Sequence, residues 1–355
     1  MSFLSDKASK LIPYVPGEQP KDGKYIKLNT NENPYPPSPK VIEAIKAAVG
    51  ESLRLYPDPE STALRRTYAE YLGLEGSNIF VGNGSDEVLA IAFQAFFSGR
   101  KNVFMPDISY SFYPVYCKLY DVEPKICPLK EDFTVDTTMY VAGEVQKGGI
   151  VIANPNAPSS IALGTAEIEN VLKNNSDCVV LVDEAYVDFG AESAVSLISK
   201  YDNLLVVTTL SKSRSLAGLR VGFAAGSKKL IEGMSRVKNS VNSYPIDLLA
   251  QKGAEAAIKD IEYFNETRNK IISTRDLVSS ELEKLGFDVL PSCANFIFAE
   301  NKRISAKSIF QRLKENMILV RYFDLPRIDN RLRVSIGTQA EMEKFIEVMR
   351  GIVIK

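Results

Sequence analysis

Four short apolar runs punctuate the middle of the chain: Val103-Phe104-Met105, Ile150-Val151-Ile152-Ala153, Cys178-Val179-Val180-Leu181-Val182 and Leu204-Leu205-Val206-Val207. None alternates apolar with polar residues, as a strand with one wet face would, and helical stretches separate them. A strand that is apolar on both sides must be covered on both sides. The runs therefore predict a mostly parallel sheet with helices packed on each face. Such sheets bind ligands beyond the carboxyl ends of their strands, so the polar residues just after each run are the first place to look for chemistry.

The flanking sequence has a different texture. Up to Tyr25 the chain carries Pro13, Pro16, Gly17, Pro20 and Gly23, which predicts an extended arm after a short amphipathic start. Asn29 to Pro39 reads as a loop that ends in Ser38-Pro39, an N-cap and first-turn proline ahead of Val41, Ile42, Ile45 and Val49. A helical stretch from about Asp260 to Leu285 reads as a connector. Beyond it, shorter strands (Asn295 to Ala299, Ile318 to Arg321, Leu332 to Ile336) alternate with helices. The expected fold class is α/β: a large domain over residues 31–260, a connecting helix over 261–285, and a small α+β domain over 286–355 joined by the arm, 1–30.

Composition removes whole classes of function. The 355 residues include no histidine, so imidazole bases, Ser-His or Cys-His nucleophile pairs and His-ligated zinc are out. Lys plus Arg is 43 against 44 for Asp plus Glu, which leaves no positive excess for a nucleic-acid backbone and favours small-molecule partners. Cys117, Cys127, Cys178 and Cys293 have neither metal spacing nor a disulfide framework. With no signal-like start and no long apolar run, the expected location is the cytoplasm, away from any membrane.

Asp183-Glu184-Ala185-Tyr186 follows one strand directly. An ATPase would also place Asp-Glu there, but the sequence holds no phosphate-cradling G-x-x-x-x-G-K-[ST] loop. Ser211-Lys212 follows the next strand, with Arg220 eight residues on. A lysine at the mouth of a buried sheet suits Schiff-base chemistry on a phosphorylated aldehyde, although on this motif alone an exposed surface lysine is the stronger reading. Gly82-Asn83-Gly84-Ser85-Asp86-Glu87 opens an apolar helix over Val88 to Phe97, leaving free N–H groups for an anion. Tyr110 lies beyond the strand at Val103, where it could stack on a flat ring or simply pack in the core. One molecule accounts for all of these: pyridoxal phosphate, with Asp183 at the ring nitrogen, Ser85, Ser211 and Arg220 at the phosphate, and Lys212 at the aldehyde.

At this point the sequence resembles the fold-type I pyridoxal-phosphate aminotransferases, and more narrowly the histidinol-phosphate group. The likeness runs through Leu11-Ile12-Pro13-Tyr14, Leu28-Asn29-Thr30-Asn31-Glu32-Asn33-Pro34, Tyr56-Pro57-Asp58, Gly84-Ser85-Asp86-Glu87, Asp183-Glu184-Ala185-Tyr186, Ser211-Lys212, Ala217-Gly218-Leu219-Arg220 and Leu332-Arg333-Val334-Ser335-Ile336-Gly337-Thr338. The resemblance implies that Lys212 carries the cofactor and then shuttles a proton. It implies that Asp183 keeps the ring nitrogen protonated, that Tyr186 bonds the phenolic oxygen and that Tyr110 stacks on the ring. Gly84, Ser85, Asp86, Ser211 and Arg220 would hold the phosphate with Tyr56 of a partner subunit, so a homodimer is implied.

Arg333 would take the carboxylate of glutamate, and with Arg321 and Tyr14 the phosphate of the second substrate, Asn295 lining the same pocket. The implied reaction is transfer of an amino group between glutamate and imidazole-acetol phosphate, giving histidinol phosphate and 2-oxoglutarate in histidine biosynthesis. An aromatic or broad-specificity aminotransferase and a pyridoxal-phosphate decarboxylase of a phospho-amino acid share much of the motif set. The sequence departs from the family once, at Asn156-Ala157-Pro158-Ser159-Ser160. There Ala157 replaces an asparagine that normally donates to the phenolic oxygen, leaving that bond to Tyr186 alone or to Asn154 or Asn156.

Overall fold

The apolar runs are the interior of a seven-stranded sheet in a computed structural model that describes residues 3–14, 17–20, 24–141, 143 and 146–353. Pro16 and Gly23 of the expected arm lie outside the described residues. In chain order the strands are β1 (Ile79–Asn83), β2 (Val103–Pro106), β3 (Pro124–Cys127), β4 (Gly149–Ala153), β5 (Val180–Asp183), β6 (Leu204–Thr209) and β7 (Val221–Gly226). They lie side by side as β1-β7-β6-β5-β4-β2-β3. The pairs from β3 through to β6 are parallel, and β7 alone runs against both its neighbours.

Strand pleating sends alternate side chains to opposite faces, and both faces are apolar. Val180, Val182, Ile150, Ile152, Leu204 and Val206 enter one core; Leu181, Val151, Leu205 and Val207 enter the other. Continuous apolar runs are what a sheet with two such cores requires. The run at Cys178 pairs only from Val180 onward, and its last paired residue is Asp183, opposite Ala153 and Val207.

The helix after the Asn-Pro loop is α1 (Pro39–Ala48), capped by the Ser38 side chain. Of its expected core positions only Val41 is fully buried, while Ile42 and Val49 face outward. The glycine-rich segment starts its helix earlier than the apolar pattern suggested. α2 runs over Gly84–Ala92 and continues into a wider π turn at Phe93–Phe97.

The long helical stretch is α3 (Ile261–Lys284), whose 24 residues span about 36 Å. A second sheet is built from β8 (Phe287–Val289), β9 (Phe296–Asn301), β10 (Arg321–Tyr322) and β11 (Arg331–Ser335), in the order β10-β11-β9-β8 and antiparallel throughout. It has its own core around Ile297, Val334, Phe345 and Leu313. The expected strand from Ile318 to Arg321 is divided: Ile318–Leu319 pairs parallel with Ile26–Lys27, tying the arm to this sheet, before the chain turns into β10. Among the described residues no helix is long and apolar enough to cross a membrane.

Candidate active site

Every parallel strand of the central sheet ends at one edge, and β7 begins there. A cavity of about 430 Å³ opens at this edge, within the range of small-molecule sites. Four cationic side chains line it (Lys212, Arg220, Arg321, Arg333), against the carboxylates of Asp86, Asp183 and Glu32.

Asp183 and Glu184 follow one strand but face opposite ways. Asp183 accepts from the Tyr113 hydroxyl at 2.9 Å and the Ala185 N–H at 3.2 Å, and lines the cavity. Burial raises its carboxyl to about 6, with the two donors pulling the other way. Glu184 turns from the cavity to the Ser193 hydroxyl and the Ala194 N–H, each at 2.6 Å. Fully buried without a cation, it is pushed up to about 8.

Lys212 follows β6 and extends its amine to the Thr30 carbonyl at 3.3 Å, 5.8 Å from the centre of the Tyr186 ring. Its own carbonyl accepts from Asn33 Nδ2 at 2.9 Å. The loop over 29–33 thus holds the lysine at both ends. Ser211 is buried beside it and accepts from the Thr209 hydroxyl at 2.9 Å.

Two glycines let the start of α2 approach the sheet. Gly84 has φ +76°, and a Cβ there would meet the Arg220 guanidinium at 2.4 Å. A Cβ on Gly222 would lie 2.4 Å from the Ser85 nitrogen. This contact sets the helix start against β7, with Ser85 and Arg220 both lining the cavity. Arg220, itself at φ +54°, donates to Asp86 Oδ2 at 3.0 Å, and Tyr110 donates to Asp86 Oδ1 at 2.8 Å. Burial and the Asp86 charge raise the Tyr110 phenol, which stays protonated.

Arg333 is the other kind of cation. Its Nη2 donates to the Asn29 carbonyl at 2.8 Å, while its Nε is buried with no partner. It lies between the rings of Phe296 and Phe323, and burial followed by the nearby Arg321 lowers its affinity for the proton. Neither Arg321 nor Arg333 has a carboxylate in ion-pair range among the described residues. A desolvated guanidinium with a second beside it, neither with a counter-charge among the described residues, forms a ready site for a carboxylate or phosphate.

Tyr14, Ser85, Asp86, Tyr110, Asp183, Tyr186, Ser211, Lys212, Arg220, Arg321 and Arg333 all reach this cavity. Three expected residues do not: Gly84 is held behind Ser85 against the Arg220 guanidinium, and Tyr56 and Asn295 lie elsewhere. Tyr56 is 82% exposed and stacks on Tyr244 at 4.7 Å, away from this cavity. Asn295 is fully buried behind the wall, where its Nδ2 holds the Asn31 carbonyl at 3.0 Å.

Neither asparagine beside Ala157 takes over the missing donor. Asn154 is bonded to the Leu163 backbone on both sides, and the Asn156 amide is spent on Ile108, Ser159 and Ser109. Tyr113, Asn31 and Asn33 were not anticipated as site residues. Tyr113 opens the helix that follows Tyr110 and had no signal of its own; Asn31 and Asn33 were marked only as part of the Leu28 to Pro34 motif, with no role attached to them.

The model of the aminotransferase class I and II family matches residues 23–349. A histidinol-phosphate aminotransferase from Clostridium acetobutylicum is 59% identical over 98% of both chains. Histidinol-phosphate aminotransferase 1 from Bordetella parapertussis is 55% identical over 99% of this chain and 98% of its own. The crystal structure of histidinol-phosphate aminotransferase from Sinorhizobium meliloti, in complex with pyridoxal-5'-phosphate, covers 99% of each chain with a TM-score of 0.88 at 22% identity, a likeness of fold. Sheet, cavity and sequence agree: this chain belongs to the aminotransferase class I and II family, among curated relatives named histidinol-phosphate aminotransferase.

Proposed function

We propose that the chain is a pyridoxal-phosphate-dependent transaminase that moves an amino group between glutamate and imidazole-acetol phosphate, giving histidinol phosphate and 2-oxoglutarate. The observation that carries this is the meeting, in one cavity, of a lysine amine, a buried carboxylate without a cation, and two guanidinium groups without counter-charges. Asp183 suits a protonated ring nitrogen, and the start of α2 with Ser211 and Arg220 suits a phosphate, so the residues present fit the cofactor. Pyridoxal phosphate supplies, when bound, a ring that accepts the electrons freed at the substrate's amino-bearing carbon.

The protein does the rest. Lys212 Nζ would hold the cofactor, and its amine would be the base that takes the proton from that carbon and returns it one position away. Asp183, charged at neutral pH, holds a proton on the ring nitrogen. Tyr110 would cover the ring, and Tyr186 would donate to its phenolic oxygen. Arg333 binds the carboxylate of glutamate; Arg333, Arg321 and Tyr14 bind the phosphate of the second substrate.

A homodimer belongs to this reading. It is supported by the exposure of Leu53, Leu55, Tyr56 and Val241, and by a Tyr56 that cannot serve its own cavity. So does the division into an arm, a large domain over 31–260, a connecting helix and a small domain over 286–355, supported by the separate cores. The four free cysteines support a reducing, cytoplasmic setting.

A visible absorption band, lost on borohydride reduction and absent in Lys212→Ala, is the expected signature of the loaded enzyme. Its absence from the intact protein refutes the proposal. Glutamate formation from histidinol phosphate and 2-oxoglutarate should exceed that from phenylalanine, with no carbon dioxide released. Preference for phenylalanine would make it an aromatic aminotransferase, and gas release a decarboxylase.

A further inference from the structure

Asn31 is 1% exposed and holds a left-handed backbone at φ +56°, a conformation that non-glycine residues keep only when their surroundings enforce it. Three contacts enforce it. Its N–H donates to Ser335 Oγ at 2.8 Å, its carbonyl accepts from Asn295 Nδ2 at 3.0 Å, and its Oδ1 accepts from the Ser335 hydroxyl at 2.8 Å. Because the Ser335 hydroxyl accepts from the backbone N–H and gives its proton to Oδ1, the amide is oriented with Nδ2 outward. Nδ2 donates to the Tyr186 phenol at 3.0 Å.

A phenol has one proton to give, and its rotor is otherwise free. With a lone pair of Tyr186 taken by Asn31, the proton turns away from Asn31, and no described residue accepts it. The hydroxyl faces the cavity that Lys212 shares. Donating into a phenol also polarises its O–H and strengthens it as a donor. The neighbouring segment adds no competing donor, since Ala157 has none and the Asn154 and Asn156 amides are engaged elsewhere.

We propose that Asn31 is a positioning residue for the reaction: it locks and strengthens the Tyr186 hydroxyl as the donor presented to the phenolic oxygen of the cofactor, with Ser335 setting the polarity of the relay. This rests on the reading of Tyr186 given above, and the test separates the two.

The measurement is the pH titration of the visible band of the loaded enzyme, whose midpoint rises when a donor to the phenolate is weakened. Tyr186→Phe removes the donor and raises the midpoint most. Asn31→Gly keeps the left-handed backbone while deleting the amide, and raises the midpoint by roughly half to one pH unit, the scale of one hydrogen bond. Asn31→Asp, which can only accept, draws the phenol proton away from the cavity and raises it at least as far. Ser335→Ala frees the amide to turn and raises it less, which keeps the test available if position 31 tolerates no change. The double variant Tyr186→Phe with Asn31→Gly titrates with Tyr186→Phe alone.

If Tyr186→Phe shifts the midpoint and the Asn31 and Ser335 variants do not, or if the shifts add in the double variant, Asn31 does not act through Tyr186 and the inference is overturned. If Tyr186→Phe itself leaves the midpoint unmoved, the role of Tyr186 falls and takes the inference with it.

Discussion

Glu184 offers a direct test of how burial without a counter-charge governs this protein. Its carboxyl is fully enclosed, receives Ser193 Oγ and the Ala194 N–H, and is raised by burial from 4.5 to about 8. Between those two values the native state holds a proton that the unfolded chain has released, so stability must fall as pH rises. The full penalty above pH 8 is about 3.5 pH units at about 1.4 kcal/mol each, or about 5 kcal/mol. Between pH 5.5 and 8.5 the loss is about 3 kcal/mol.

With about 2.1 cal/mol/K of unfolding entropy per residue, a chain of 355 residues converts that loss into about 4 °C of melting temperature. Glu184→Gln has the same shape, still accepts from Ala194 and never ionises. The expected result, by scanning calorimetry of the loaded enzyme, is that the wild type loses about 4 °C more than Glu184→Gln between pH 5.5 and 8.5. Asp183 is present in both proteins, so the part of its titration that is independent of Glu184 is common to both curves. Parallel melting curves within 1 °C across that range would refute the reasoning. The consequence reaches the site: a neutral Glu184 at pH 7 leaves the neighbouring Asp183 as the buried carboxylate charge of the pair.

Three further outcomes follow from the geometry. Arg333→Lys exchanges a planar fork for a point charge, so KM for glutamate should rise about tenfold while the visible band keeps its position; an unchanged KM would place the carboxylate elsewhere. Gly222→Ala puts a Cβ 2.4 Å from the Ser85 nitrogen and 2.5 Å from the Gly84 carbonyl carbon. Overpacking of about 1–3 kcal/mol should push the start of α2 outward and weaken pyridoxal-phosphate binding at least tenfold, measured by dialysis. Ala157→Asn adds a donor at the cavity wall and should lower the pH midpoint of the visible band; no decrease would mean the wall at 157 does not face the phenolic oxygen.

The central sheet was legible because burial on both faces leaves a direct trace in composition: a strand between two helix layers has no position for a polar side chain until it emerges, and Asp183 stands at the emergence. Helix starts were legible where a cap is local, as at Ser38, and blurred where the glycine turn at Gly84 opens the helix before any apolar residue. The outward turn of Ile42 and Val49 was hidden, since spacing marks a helical stripe without saying what covers it.

By itself, then, the sequence determined the layered fold, the end of the sheet that carries chemistry, and the exclusion of imidazole bases and His-ligated zinc. Those are properties of local pattern and of composition. Tertiary structure alone decided the reversed direction of β7, the division of labour between Asp183 and Glu184, and the relay from Ser335 through Asn31 to Tyr186, whose members are 304 and 155 residues apart. The physical reason is that a hydrogen bond is set by a few tenths of an ångström and by orientation. Segments hundreds of residues apart acquire that relation only when both sheets and their cores have packed.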